Sequence, residues 1–126
     1  MTVPLVIVDG ANVVGSVPDG WWRDRPGAAL RLRDALTPVA ANGLPDLPGP
    51  VEVALVVEGQ AKSTPQGPAE VRVVSAPGSG DDRIVDLVRE AGRERRVVVV
   101  TADRGLRDRV TQLGAEVKGP SSVPRR

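Results

Sequence analysis

Five acidic residues in this chain of 126 stand just after short apolar runs. Asp9 directly follows Leu5 to Val8, and Glu58 follows Val51 to Val57. Asp81 and Asp82 lie in the stretch after Val71 to Val74, and Asp103 comes shortly after Val97 to Val100. A sixth acid, Asp86, lies four residues beyond Asp82, so both project from one face if a helix begins there. Crowded carboxylates repel one another, and protonation, Arg pairing or a bound cation relieves the repulsion. Oxygen-only ligands suit a hard divalent ion, Mg²⁺ or Mn²⁺, that keeps part of its water shell. Such an ion activates water against a phosphodiester and neutralises the charge that develops as the bond breaks.

Composition narrows the alternatives. The chain has no Cys and no His, which excludes disulfide frameworks, Cys/His zinc sites, thiol nucleophiles and imidazole general bases. Its apolar runs are strand-sized and the N-terminal MTVPLVIVDG lacks the basic region of a signal peptide, so a soluble cytoplasmic protein is expected. Each acid also has a plainer reading. Asp81 or Ser79 could be the N-cap of a helix, and Asp103 could cap another. Asn12 could stabilise a turn, and Glu58 could simply begin a loop.

The elements that must position these acids follow from periodicity. The runs Leu5 to Val8, Val51 to Val57, Val71 to Val74 and Val97 to Val100 are rich in β-branched residues and read as strands, with a short fifth around Ala115 to Val117. The first and last of the four are apolar at consecutive positions, as burial on both faces of a parallel sheet requires. Helical spacing appears in Pro26 to Ala41, with Pro38 weakening its last turn, from Ser79 or Asp81 to Gly92, and from Arg104 to Leu113. The order predicts an α/β fold with an open, mainly parallel sheet of four to five strands and helices on both faces. Parallel strands then bring every strand-end acid to the C-terminal edge of one sheet, where open α/β folds place their ligands.

Asn42 to Pro50 and Glu58 to Glu70 are rich in Gly and Pro and read as surface loops. One domain over residues 1–118 is expected. Residues 119–126 carry few apolar side chains and are expected to be a flexible tail, mobile or docked on a neighbouring subunit of a homodimer.

The net charge is +1 but unevenly placed: residues 1–70 carry five Lys/Arg against eight Asp/Glu, whereas residues 71–126 carry twelve against eight. Arg83, Arg104 and Arg107 are the candidates for a positive rim that draws phosphates toward an acidic floor. Trp21 and Trp22, the only aromatic residues, occupy SVPDGWWRDRP just beyond the first acid. Base stacking and burial against the first helix are both open to them, with packing expected for at least one. Ser16, Arg23 and Arg25 in the same stretch are candidate phosphate contacts.

The segment VIVDGANVVG resembles the opening motif of the PIN-like superfamily, specifically its NYN and YacP-like branch, where a strand ends in Asp-Gly-x-Asn. VEVALVVEG, GSGDDRIVDLV and VVVVTADRGLRDRV resemble that branch's second acidic strand end, its Asp-bearing helix start and its Thr-Ser/Ala-Asp strand end. The motifs occur in the family's order from Val6 to Val110. The resemblance implies a PIN-like, Rossmannoid fold and a metal-dependent ribonuclease. Asp9, Asp82 and Asp103 would be its principal acids, with Asn12 orienting the first and Asp86 and Glu58 assisting. Glu58 stands where the pattern more often has Asp, and Asp81 is an extra acid beside Asp82, so either could reach the metal.

The leading expectation is an RNA endonuclease using Mg²⁺- or Mn²⁺-activated water. A PIN-like nucleic-acid-binding module without turnover and a metal-dependent phosphohydrolase of small nucleotides are the alternatives. A phospho-receiver domain also groups acids at a sheet edge but needs a Lys after its last strands. The only lysines here are Lys62 and Lys118, which ranks that reading last.

Overall fold

The computed structural model describes residues 2–125. In chain order the elements are β1 (Leu5–Asp9), α1 (Gly10–Gly15), α2 (Arg25–Ala35), α3 (Val39–Asn42), β2 (Gly43–Leu44), β3 (Leu47–Pro48), β4 (Glu52–Val57), β5 (Val71–Ser75), α4 (Gly80–Ala91), β6 (Val97–Val100), α5 (Arg104–Gln112) and β7 (Glu116–Lys118). Short 3-10 turns lie at Trp21–Arg23, Gly59–Ala61 and Pro120–Ser122. The fold is α/β, as expected. Five strands form one parallel sheet in the order β5-β4-β1-β6-β7.

The valine-rich strands explain this arrangement. Val6 and Val8 face a core shared with α1, α2 and α3, while Leu5 and Ile7 face a second core under α4 and α5. The same alternation divides Val53, Leu55 and Val57 from Ala54 and Val56, and Val98 and Val100 from Val97 and Val99. A strand apolar at every position is thus satisfied only between two helical layers. β1, central between β4 and β6, is buried along its whole length.

The helix edges follow local chemistry. Ser79 caps α4 by accepting a hydrogen bond from the Asp82 N–H at 3.2 Å, and Asp103 caps α5 by accepting from the Leu106 N–H at 2.9 Å. α4 stops at Gly92 and the turn after α5 passes through Gly114, both with positive φ.

Two expectations need correction. The helix expected over Pro26 to Ala41 breaks into α2 and α3, because Pro38 has no N–H for the ladder and disfavours helical backbone at Thr37. Asn42 to Pro50, expected as a plain surface loop, folds into the antiparallel hairpin β2-β3, which buries Leu44 and Leu47 in the core over α2. Glu58 to Glu70 is a mostly exposed loop, as expected; it buries Thr64, and its Gln66 amide both donates to the Val73 carbonyl at 2.7 Å and accepts from the Val73 N–H at 2.9 Å. A side chain thus occupies the open edge of β5, the position where an unpaired strand would otherwise invite a foreign one. Part of the tail packs on the domain: Val123 is buried in the core shared with α1, α2 and α3, and the Arg125 guanidinium lies 3.4 Å from the Ser16 hydroxyl.

Among the described residues no helix is long and apolar enough to cross a membrane.

Candidate functional site

The C-terminal edge of the sheet has a natural break between β1 and β6. The chain leaves β1 toward β4 and leaves β6 toward β7, so the loops diverge and open a crevice there. Asp9, the last residue of β1, lies in it and is buried. Its Oδ2 accepts from the Thr101 hydroxyl at 2.9 Å, and its Oδ1 accepts from the Asn12 N–H at 3.5 Å. The Thr101 oxygen in turn accepts from the Asp103 N–H at 3.1 Å. Across the same gap the Asn12 side-chain carbonyl accepts from the Ala102 N–H at 2.8 Å. Two hydrogen-bonded links therefore fix the β1 turn against the β6 turn.

α1, which sequence periodicity did not reveal, is what brings Asn12 to this gap. Its first residue is Gly10, where an added Cβ would stand 2.5 Å from the Val56 carbonyl oxygen. The tight β1-to-helix turn beside β4 therefore requires glycine.

The other acids arrive from β4 and α4. Glu58, half-buried, follows β4 directly and accepts from the Gly80 N–H at 2.7 Å, tying its strand end to the start of α4. Asp81 also faces the edge. Burial raises its pKa, and the carboxylates of Asp103, Glu58 and Asp82 raise it further, while Arg109 opposes them. Asp9 shows the same crowding. Its pKa is raised from 3.8 to about 6, chiefly by burial, with Asp81 and Glu58 adding to the rise and the Thr101 and Asn12 hydrogen bonds opposing it.

Asp9, Glu58, Asp81 and Asp103 thus make one electrostatic group. Asp82 and Asp86 stand apart on the outer face of α4. Asp82 is exposed and pairs with Arg109 at 3.0 Å, and Asp86 lies 3.9 Å from Arg89. The signal for this division was in the sequence: Asp81 shares a helical face with the buried Ile84, Val85 and Val88, whereas Asp82 shares one with the exposed Asp86 and Arg89. Thr101, which sequence reading left out of the site, was visible only within the Thr-Ala-Asp motif.

The donors are all oxygens, and only one oxygen each of Asp103 and Glu58 serves a backbone N–H. Among the described residues no three acids converge on one point closely enough to enclose a metal ion. The set suits Mg²⁺ or Mn²⁺ held by a few carboxylates and retained waters, and not an ion that needs a closed cage.

The basic residues divide as well. Arg83 pairs with Glu90 at 3.0 Å, two turns down α4, and so points away from the edge. Arg104 and Arg107 are exposed at the start of α5 and take no part in an ion pair among the described residues. Trp21 is half-buried and Trp22 is 55% exposed, with ring centroids 5.9 Å apart and edge to face. The Arg25 guanidinium lies 5.4 Å from the Trp21 ring centroid and that of Arg23 lies 5.8 Å from the Trp22 centroid. Between α1, α2 and the turn after β4 a cleft of about 360 Å³ opens, with Trp21, Arg25 and Glu58 in its lining. Ser16 instead lines a separate depression with Arg125.

Neither the known family models nor the curated proteins include a match to this chain. Solved structures do match. The crystal structure of Rae1 (YacP) from Bacillus subtilis is similar over 97% of this chain and 71% of its own, at 20% identity and a TM-score of 0.73. A tryptophan-to-leucine mutant of the same protein is similar over 94% of this chain and 70% of its own, at 18% identity and a TM-score of 0.70. The chain has the α/β fold of Rae1, a five-stranded parallel sheet between two helical layers.

Proposed function

We propose that this chain is a Mg²⁺- or Mn²⁺-dependent ribonuclease of the NYN and YacP-like kind, an endonuclease that hydrolyses RNA phosphodiesters at the crevice between β1 and β6. The observation that carries this reading is the gathering of Asp9, Glu58, Asp81 and Asp103 at one sheet edge, where burial and mutual repulsion raise the pKa values of Asp9 and Asp81. Such crowding disfavours the charged carboxylates unless a cation compensates it. The likeness of fold to Rae1 and the ordered motifs of the sequence support the same reading.

When bound, the ion would supply an activated water and charge neutralisation at the phosphoryl oxygens. The protein's own residues do the positioning. Asp9, Asp81 and Asp103 would hold the ion partly through its retained waters, with Glu58 bracing the β4 side. Asn12 and Thr101 keep the two loops in register, so that Asp9 presents its carboxylate in a defined orientation. Arg104 and Arg107, exposed at the start of α5, would attract backbone phosphates without reading sequence.

The test incubates the purified protein with single-stranded RNA, single-stranded DNA and nucleoside triphosphates, each with Mn²⁺ and with chelator. Mn²⁺-dependent endonucleolytic cleavage of RNA is expected. Turnover of triphosphates alone would make the chain a small-nucleotide phosphohydrolase. Binding of RNA without turnover would make it a recognition module.

A further inference from the structure

The cleft beside the acids is not explained by hydrolysis. Its floor is made by apolar side chains of the α1-α2 layer and the facing sheet, including Val14 of α1, Ala29 and Leu32 of α2, and Leu55 and Val57 of β4. A metal-dependent phosphodiesterase needs no such cleft next to its carboxylates. The mouth is polar. Arg25 is stacked on Trp21 at one side, and Glu58 and Gln60 stand at the other. Glu58 belongs both to this lining and to the acid group, and Gly10 of the lining is bonded to Asp9. The cleft therefore begins where the reacting phosphate would lie.

We infer that this cleft seats one unpaired nucleobase of the strand being cut, stacked against the Trp21-Arg25 wall, so that the adjoining phosphate is drawn over the acids. The inference rests on the ribonuclease reading for its choice of ligand. Three observations select a base over another apolar group. The volume of about 360 Å³ lies in the range of small-ligand sites. An aromatic ring and a guanidinium plane offer the flat surfaces on which bases stack. Exposed Arg25 in the lining complements the phosphate that a nucleotide carries and a neutral apolar ligand lacks. The seat also accounts for the different settings of the two tryptophans: Trp21 lines the cleft, whereas Trp22 is outside it.

Tryptophan fluorescence tests this without catalysis. In Trp22→Phe protein, with chelator present, Trp21 is the only reporter. Titration with adenosine, guanosine, cytidine and uridine 5′-monophosphates is compared with ribose 5-phosphate, which has the phosphate and no base. Saturable quenching by at least one nucleotide is expected, with ribose 5-phosphate weaker by about tenfold or more, the size of one base stack. Ala61→Phe, which places a ring in the cleft from the surface turn after β4, should remove the nucleotide response while circular dichroism and the thermal melt stay close to wild type. Should Ala61→Phe not fold, Arg25→Ala takes its place, and a loss of about tenfold in nucleotide affinity is expected. Equal binding of ribose 5-phosphate, no saturation by any nucleotide, or undiminished nucleotide binding in the folded variant would overturn the inference. RNA cleavage with a flat titration defeats the base seat alone. A saturating titration with no Mn²⁺-dependent cleavage defeats the ribonuclease reading and leaves the seat standing.

Discussion

The Thr101 hydroxyl donates to Asp9 at 2.9 Å while its oxygen accepts from the Asp103 N–H at 3.1 Å, so one uncharged side chain links the ends of β1 and β6. Both Thr101 and Asp9 are buried, and water cannot readily replace the bond. Thr101→Val keeps the shape and removes both hydrogen bonds. It should destabilise the protein by about 1–3 kcal/mol in urea unfolding, because a buried carboxyl and a backbone N–H lose their partner. The Asp9 pKa should rise further above about 6, since the Thr101 bond is what lowers it most. NMR titration of the Asp9 carboxyl reads this directly. Thr101→Ser should restore most of both properties, and a Val variant with unchanged stability and titration would remove Thr101 from the site.

Stability without metal should fall as pH rises from about 4 to about 7. Folding raises the Asp9 pKa from 3.8 to about 6, so the folded chain holds this proton more tightly than the unfolded chain. The contribution is full below the unfolded pKa and is lost as pH rises through the folded one, amounting to on the order of 2–3 kcal/mol for a buried group. Asp81 is raised too and acts with the same sign, whereas Glu116, lowered by Arg96 at the opposite end of β6-β7, acts with the other sign in full solvent screening. Asp9→Asn should flatten the curve and be the more stable protein at pH 7 in chelator. Urea midpoints at pH 4.5, 6 and 7.5 decide it, and parallel curves for the two proteins would count against the assigned shift.

Asp81→Asn and Asp82→Asn should part company. Asp81 belongs to the acid group, whereas Asp82 is exposed and engaged with Arg109. Replacing Asp81 should weaken Mn²⁺ binding by roughly 10–100-fold or more and shrink the Mn²⁺-induced rise in Tm accordingly. Replacing Asp82 should change Mn²⁺ affinity by only a few-fold, because an exposed ion pair contributes at most ~1 kcal/mol. Calorimetric Mn²⁺ titration of both variants settles which neighbour reaches the ion, and a reversed order would restore Asp82 as the ligand.

Gly10→Ala sets two effects against each other. Alanine is better than glycine in a helix by about 1 kcal/mol. The new Cβ would stand 2.5 Å from a backbone oxygen of β4, and overpacking against a neighbour that cannot rotate away costs about 1–3 kcal/mol. The clash should win, so the variant should unfold at lower urea. Its Mn²⁺ affinity should also fall, since α1 must move away from β4 and carry Asn12 with it. A Gly10→Ala protein as stable as wild type would mean that the turn has room to spare.

Much of this molecule is legible in the amino-acid sequence because it depends on local patterns. Val97 to Val100 can only be a strand covered on both faces, and Ser79 and Gly92 bracket a helix with a clear apolar stripe. Parallel strands then oblige Asp9, Glu58 and Asp103 to meet at one edge. Other features depend on which distant segments pack together, and periodicity carries no information about that. Leu44 and Leu47 look like loop residues until the core over α2 leaves room for a hairpin, and Val123 looks like tail until the same core closes over it. Asp81 and Asp82 are adjacent and chemically equal in the sequence. Their side chains leave the helix about 100° apart, so the docking of Ile84, Val85 and Val88 on the sheet turns Asp81 toward the other acids and leaves Asp82 to solvent and Arg109. The apolar stripe of α4 already separates the two faces in the sequence, and tertiary packing decided that the Asp81 face meets the other acids while the Asp82 face meets Arg109, because it sets what lies opposite each face.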